Sequence, residues 1–241
     1  MHYLCTLFGK KMKIEKIFLL FGLSFLHLTT FAQDDSPKVS ATATYYDKNN
    51  ELQTVTTISE GEAPLEVTFH ANPENMGSHT PAYEWHFSKQ GEEGDLFVRY
   101  EEETTYQFVD SGTYDINLVA SLTDTGDTLY SAPITVTILE SKLEFPNAFS
   151  PNGDEWNEEF KAKEYKSLVE FHAYIFNRGG QKLYEWTDPS EGWDGKYNGK
   201  DVKDGVYFLL VKAKGSEGHV YNIRQDINLL RGHIEATSTN Q

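Results

Sequence analysis

Tyr106-Gln107-Phe108-Val109-Asp110-Ser111-Gly112-Thr113-Tyr114-Asp115-Ile116-Asn117-Leu118 is the stretch that decides the fold class. From Tyr114 onward apolar and polar side chains alternate, so Tyr114, Ile116 and Leu118 share one face of an extended strand while Asp115 and Asn117 share the other. Asp110-Ser111-Gly112 is a turn, and a tyrosine just after it stands where its hydroxyl reaches back to the turn's backbone. The same period of two recurs on either side of this stretch. Leu65, Val67 and Phe69 alternate with Glu66, Thr68 and His70; Tyr83, Trp85 and Phe87 alternate with Glu84 and His86; Ile134, Val136 and Ile138 close the set. Nothing between Lys38 and Ile138 sustains a helical period.

About seven strands, each with one buried face, in roughly 100 residues predict an antiparallel sandwich of immunoglobulin type. In it Trp85 is expected as the core tryptophan of the third strand rather than as a platform for carbohydrate. Beyond Leu139 a second, turn-rich pattern begins. The chain therefore reads as all-β: two immunoglobulin-like β-sandwich domains in tandem, residues 36–138 and 139–232, after an N-terminal signal peptide and before a tail of residues 233–241. The two are expected to fold independently, with a junction between Ile138 and Lys142.

Composition narrows the function. The 241 residues hold 37 Asp plus Glu against 21 Lys plus Arg, a net charge of −16. That balance predicts no nucleic-acid partner, since such binding needs a basic face and is driven by release of counterions from phosphates. The 14 Tyr, 15 Phe and 4 Trp exclude a disordered chain. A single cysteine, Cys5, excludes an intramolecular disulfide, a cysteine zinc cluster and an iron–sulfur site.

Lys13 and Lys16 precede an apolar run from Ile17 to Leu28, and Thr30-Phe31-Ala32 supplies a small-x-small cleavage site. Residues 1–32 are thus expected to be a secretory signal peptide cut before Gln33, complete even if translation starts at Met12. No later stretch approaches the roughly 20 apolar residues of a membrane span, so none is expected in the mature chain. Cleavage removes Lys10, Lys11, Lys13, Lys16 and Glu15 and leaves 17 basic against 36 acidic residues, a net of −19, with no cysteine.

Two resemblances add to this. Gly61-Glu62-Ala63-Pro64-Leu65-Glu66-Val67-Thr68-Phe69, Tyr83-Glu84-Trp85-His86-Phe87, Tyr106 to Tyr114 and Ile134-Thr135-Val136 resemble the PKD domain, with His86 and Ser88-Lys89-Gln90-Gly91 where that family usually has Asp and a Gly-Asp-Gly turn. Phe145-Pro146-Asn147-Ala148-Phe149-Ser150-Pro151-Asn152-Gly153-Asp154, Asn177-Arg178-Gly179-Gly180-Gln181, Trp193-Asp194-Gly195, Asp204-Gly205-Val206-Tyr207-Phe208 and Ile227 to Gly232 closely resemble the gliding motility-associated C-terminal domain, the type B sorting domain of type IX secretion. Glu155 replaces that family's usual Gly after the Asp, and Arg178-Gly179-Gly180 its usual Arg-Trp-Gly. The resemblance implies recognition by outer-membrane secretion machinery. Asn152, Gly153, Asp154, Asn177, Arg178, Asp194, Gly195 and Gly205 are the motif residues that would fix the recognised surface, with Arg178 able to fork onto a carboxylate or backbone carbonyls.

Read as residues, those motifs are turns between strands. Asn152, Asp154, Glu158 and Glu159 could also gather oxygen ligands for Ca²⁺, although Trp156 and Asn157 break EF-hand spacing. No other cofactor is implied. There is no nucleophile elbow, zinc-protease helix, Walker loop or dinucleotide fingerprint. His70, His79, His86, His172, His219 and His233 lack ligand spacing, and Glu92-Glu93 and Glu101-Glu102-Glu103 read as solvated loops rather than a glycosidase pair. The expected function is a non-enzymatic secreted or outer-cell-surface protein, its first sandwich a passenger or spacer and its second directing export and attachment. The alternative is an adhesion module for surface glycan or protein, with Tyr45, Tyr46 or Tyr100 as contacts; a hydrolase using Glu101 ranks third.

Overall fold

The computed structural model describes residues 35–232, so the expected signal peptide and the tail lie outside the described residues. Residues 36–232 belong to one compact unit that holds two separate hydrophobic cores. No helix forms among the described residues.

The first sandwich comprises β1 (Lys38–Tyr46), β2 (Leu52–Val55), β3 (Thr57–Gly61), β4 (Leu65–Glu74), β5 (Pro81–Lys89), β6 (Asp95–Arg99), β7 (Glu103–Phe108), β8 (Gly112–Leu122), β9 (Thr128–Tyr130) and β10 (Ile134–Ile138). One sheet has the order β2-β1-β4-β7 and the other β3-β10-β8-β5-β6, with β9 on β8. Period-two patterning sends Val67 and Phe69 of β4, Tyr83, Trp85 and Phe87 of β5, and Tyr114, Ile116 and Leu118 of β8 into the space between the sheets. Trp85 is wholly buried, which excludes a carbohydrate-stacking role; its ring lies 6.0 Å from that of Phe69 and its indole N–H donates to the Glu101 carbonyl at 2.9 Å. The Tyr114 hydroxyl donates to the Asp110 carbonyl at 2.9 Å, the expected corner, and burial followed by the nearby Asp110 charge pushes its pKa up to about 12.

The second sandwich comprises β11 (Lys142–Glu144), β12 (Ala148–Phe149), β13 (Phe160–Lys161), β14 (Glu164–Lys166), β15 (Leu168–Phe176), β16 (Lys182–Trp186), β17 (Gly192–Trp193), β18 (Lys196–Tyr197), β19 (Lys200–Asp201), β20 (Gly205–Gly215) and β21 (Val220–Leu229). A five-stranded sheet of order β12-β21-β20-β15-β16 forms one layer, with β12 and β21 parallel. The other strands are three short two-stranded ribbons, β11-β14, β13-β17 and β18-β19. Trp193, wholly buried, sits between Phe149 and Tyr207 with ring centroids 5.4 and 5.1 Å away. A second tyrosine corner joins this core: the Tyr207 hydroxyl donates to the Lys203 carbonyl at 2.6 Å.

The junction is bonded on both sides. Leu139 N–H donates to the Gly61 carbonyl at 2.8 Å, Ser111 N–H to the Ser216 carbonyl at 3.1 Å, and the Ser216 hydroxyl to the Leu139 carbonyl at 3.0 Å. Ser167 and Ser216, only 2% and 3% exposed, are the polar residues that meet there. Two cores separated by a small polar seam make the two-domain reading testable. A fragment of residues 36–138 is expected to keep its fold, because its core takes only Val169, at its edge, from beyond Ile138. Cooperative thermal unfolding of the fragment would bear this out; a fragment without it would count against independent domains.

Candidate functional site

Strand register brings the turn motifs to one end of the second sandwich. Phe176 pairs with Phe208, Gly205 with Leu229, and Leu229 with Phe149, so the end of β12, the β15–β16 hairpin, the start of β20 and the end of β21 share that end. The hairpin joining β20 to β21 lies at the opposite end, and there Ser216 meets the first sandwich.

The loop after β12 is built from side-chain-to-backbone bonds. Asn152 Oδ1 accepts from Asp154 N–H at 3.0 Å, Asp154 Oδ1 accepts from Trp156 N–H at 2.9 Å, and Glu158 Oε1 accepts from the N–H groups of Gly153 and Asp154 at 2.8 and 3.0 Å. Asn152 Nδ2 also donates to Asp154 Oδ2 at 2.9 Å. These bonds hold the Asp154 carboxyl below the usual carboxylate range, the Asn152 amide first and the Trp156 N–H second. Of the four expected cation ligands, Asn152, Asp154 and Glu158 come together, and Glu159 lies 3.7 Å from Lys161 Nζ instead. A Ca²⁺ ion needs six to eight oxygens and would compete here with N–H groups that already donate to these oxygens. No group of three or more His, Cys, Asp or Glu side chains converges among the described residues.

Glu155, at the position of the family's usual Gly, has φ of +72°, and Asn157 has +52°. A side chain in this left-handed region costs roughly 1–2 kcal/mol. Glu155→Gly is therefore expected to stabilise the protein by about 0.5–1 kcal/mol, after the glycine's larger unfolded-state entropy is subtracted. Urea midpoints of the two proteins check this; a lower midpoint for the glycine variant would show that the Glu155 side chain contributes more than its backbone strain costs.

Asn177 caps its own hairpin, its Oδ1 accepting from Gly179 and Gln181 N–H at 3.0 Å each. Arg178, beside it, is exposed to solvent and forks onto no partner among the described residues. The fork belongs to Arg231 instead. Its guanidinium donates to the Val202 carbonyl at 2.5 Å and the Gly195 carbonyl at 2.9 Å and reaches Asp204 Oδ1 at 3.3 Å, while its N–H donates to Asp204 Oδ2 at 2.9 Å. Arg178 sits at an exposed hairpin tip, whereas Arg231 follows β21 and meets two turns at once. Gly195, at φ +76°, has no room for a side chain: a Cβ would stand 2.8 Å from Arg231 Nη2 and 3.0 Å from Pro151. Asp194 Oδ1 accepts from Lys196 N–H at 3.0 Å, and Gly205 opens β20. Arg231 thus ties together the turns around Gly195, Val202 and Asp204, a role that its place in the Leu229-Leu230-Arg231-Gly232 motif did not disclose.

Two open hollows flank the 152–159 loop. One of 440 Å³ is lined by Asn152, Asp154, Trp156, Asp204 and Leu230, with the Trp156 indole 77% exposed. The other, of 1080 Å³, includes Phe145, Glu155, Glu158, Glu159, Lys161 and Lys163, and its lining has no Ser, Thr, Cys or His to act as a nucleophile or imidazole base. Among the described residues the histidines lie apart: His70 bonds Glu103, His79 bonds Asp124 and His86 bonds Asp95, each at 2.7 Å, while His172 bonds Tyr174 at 3.0 Å and the His219 ring lies 4.5 Å from that of Tyr221; His233 lies outside the described residues. Glu92, Glu93, Glu101, Glu102 and Glu103 are all exposed, and the Glu101 carbonyl serves the Trp85 indole. No helix of the described residues is long and apolar enough to cross a membrane.

Residues 143–223 match the family model described as the CHU_C type IX secretion signal domain. No curated protein matches the chain. Among solved structures, the fibronectin(III)-like modules of Clostridium thermocellum CbhA are 14% identical, with 78% of this chain and 93% of that one covered at a TM-score of 0.26. The three N-terminal domains of the bacteriophage RB49 outer capsid protein Hoc are 14% identical, with 80% and 59% covered at a TM-score of 0.38. The match over residues 143–223 marks the chain for export to the medium or the outer cell surface.

Proposed function

We propose that the second sandwich is read as a folded signal by outer-membrane secretion machinery, and that the first sandwich travels with it as a non-enzymatic passenger or spacer. One observation carries this: Asn152, Gly153, Asp154, Asn177, Asp194, Gly195 and Gly205 stand at the same end of the domain, away from the first sandwich, and are held there by side-chain-to-backbone bonds and by Arg231. A surface fixed in this way can be recognised without a linear tag. A fluorescent reporter carrying a signal peptide and residues 139–241 is expected to reach the surface or medium of a type IX-competent cell. Retention in the periplasm, equal to that of a reporter without the domain, refutes the proposal.

A second reading, in which the first sandwich binds surface glycan or protein, is favoured by Tyr46, 61% exposed beside a 510 Å³ hollow that Tyr45, Asp47, Lys48, Glu60 and Glu62 also line. Tyr100, 68% exposed, is a further aromatic contact. Glycan-array binding by the chain, lost in Tyr46→Ala, would favour this reading, and its absence would leave the spacer role.

A further inference from the structure

The outward face of the five-stranded sheet carries an apolar patch on β15 and β20, where a sandwich's outer face is ordinarily polar. In the first sandwich the corresponding outward positions are Glu84, His86 and Ser88 on β5 and Asp115 and Asn117 on β8. In the second, Tyr174 and Phe176 on β15 and Val206, Phe208 and Leu210 on β20 point away from the core, with Val206 and Phe208 48% and 38% exposed. Register arranges this face in two adjacent rows. One runs Glu185, Tyr174, Leu210, Arg224; the other runs Lys182, Phe176, Phe208, Asp226. Each row is apolar in the middle and charged at its ends, and the two rows carry opposite charges at corresponding ends. Arg224 and Asp226 are both exposed and have no ion-pair partner among the described residues.

We propose that this face packs against the same face of a second copy of the chain, about a two-fold axis that runs across the strands between the two rows. The axis lays each row on the other row of the second copy. Tyr174 meets the second copy's Phe176, Leu210 meets its Phe208, and Arg224 meets its Asp226, each contact occurring twice as an isologous interface requires. Sheets stacked face to face at about 10 Å and within roughly 30° of alignment have room for these side chains to interdigitate. Glu185 and Lys182 already bond at 2.6 Å within one chain, so their exchange between copies is close to neutral. What changes on association is burial of the rings and the pairing of Arg224 with Asp226. A sugar fits the face less well, because His172 and Tyr174 stack on each other with centroids 4.3 Å apart and cover one another's ring faces.

Sedimentation velocity of the signal-free chain, from about 1 to 300 µM, is the test. The wild type is expected to show a monomer–dimer equilibrium within that range. Arg224→Asp sets two carboxylates against each other and is expected to raise the dimer dissociation constant at least about tenfold. The double variant Arg224→Asp, Asp226→Arg restores opposite charges across the axis and is expected to return the constant toward wild type. Phe208→Ser is expected to be monomeric. Because Arg224 and Asp226 are exposed in the monomer, melting temperatures of the dilute charge variants should equal that of dilute wild type, which separates lost pairing from lost fold. A wild type that stays monomeric throughout, a dimer indifferent to Arg224→Asp, or a charge reversal that the double variant fails to rescue would each overturn the proposal.

Discussion

Trp193→Ala is expected to destabilise the second sandwich by about 4 kcal/mol, the transfer cost of an indole plus the cavity it leaves. Trp193 is wholly buried against Phe149 and Tyr207, and its N–H donates to the Lys196 carbonyl at 2.8 Å, so the change removes packing and orphans an acceptor together. Domains commonly have only about 5–15 kcal/mol to lose. Urea unfolding followed by far-UV circular dichroism should therefore show the transition of residues 139–232 displaced to much lower denaturant. If a folded surface is what the secretion machinery reads, export of the variant falls with it. A midpoint within experimental scatter of wild type would mean that Trp193 is not the keystone of this core.

Arg231→Ala comes next, at about 2–3 kcal/mol. The side chain is 21% exposed, and its loss leaves the Gly195 and Val202 carbonyls and the Asp204 carboxylate without their shared donor. Arg231→Lys is expected to recover less than half of the loss, because an ammonium cannot span two carbonyls and a carboxylate in one plane. The two variants melting alike with wild type would show that the fork is not needed to hold the Gly195 and Asp204 turns. Arg178→Ala, at an exposed hairpin tip, serves as the control and should change the melting temperature little.

The first sandwich was largely legible from residue order because one face of each strand meets the core and the other meets water. Alternation at Tyr83–Phe87 or Tyr114–Leu118 then reports burial directly, and the Asp110-Ser111-Gly112 turn places the tyrosine corner. The second was legible in its turns but not in its layers. Val206-Tyr207-Phe208-Leu209-Leu210-Val211 is apolar without a break, so no alternation tells which side faces the core. In the structure Tyr207, Leu209 and Val211 are buried, while Val206 and Phe208 are exposed. Tyr207 repeats the Gly-x-Tyr spacing of Gly112 and Tyr114, a signal in plain view that identifies the second corner once the first is known. The partners of Arg231 were not legible, since Gly195, Val202 and Asp204 precede it by up to 36 positions and only the closing of β20 on β21 brings them within reach.

The parallel pairing of β12 with β21 has a mechanical consequence. The two strands lie near the domain's entry and exit, and Asn228 N–H donates to the Asn147 carbonyl at 2.9 Å and Leu230 N–H to the Phe149 carbonyl at 3.1 Å. A tensile load applied at residues 139 and 232 draws these neighbours in opposite directions along their common axis. Their hydrogen bonds are then loaded side by side in shear rather than peeled one at a time. β21 thereby acts as a clasp on β12, and traction at residue 232 meets this seam before it reaches the hairpins behind it.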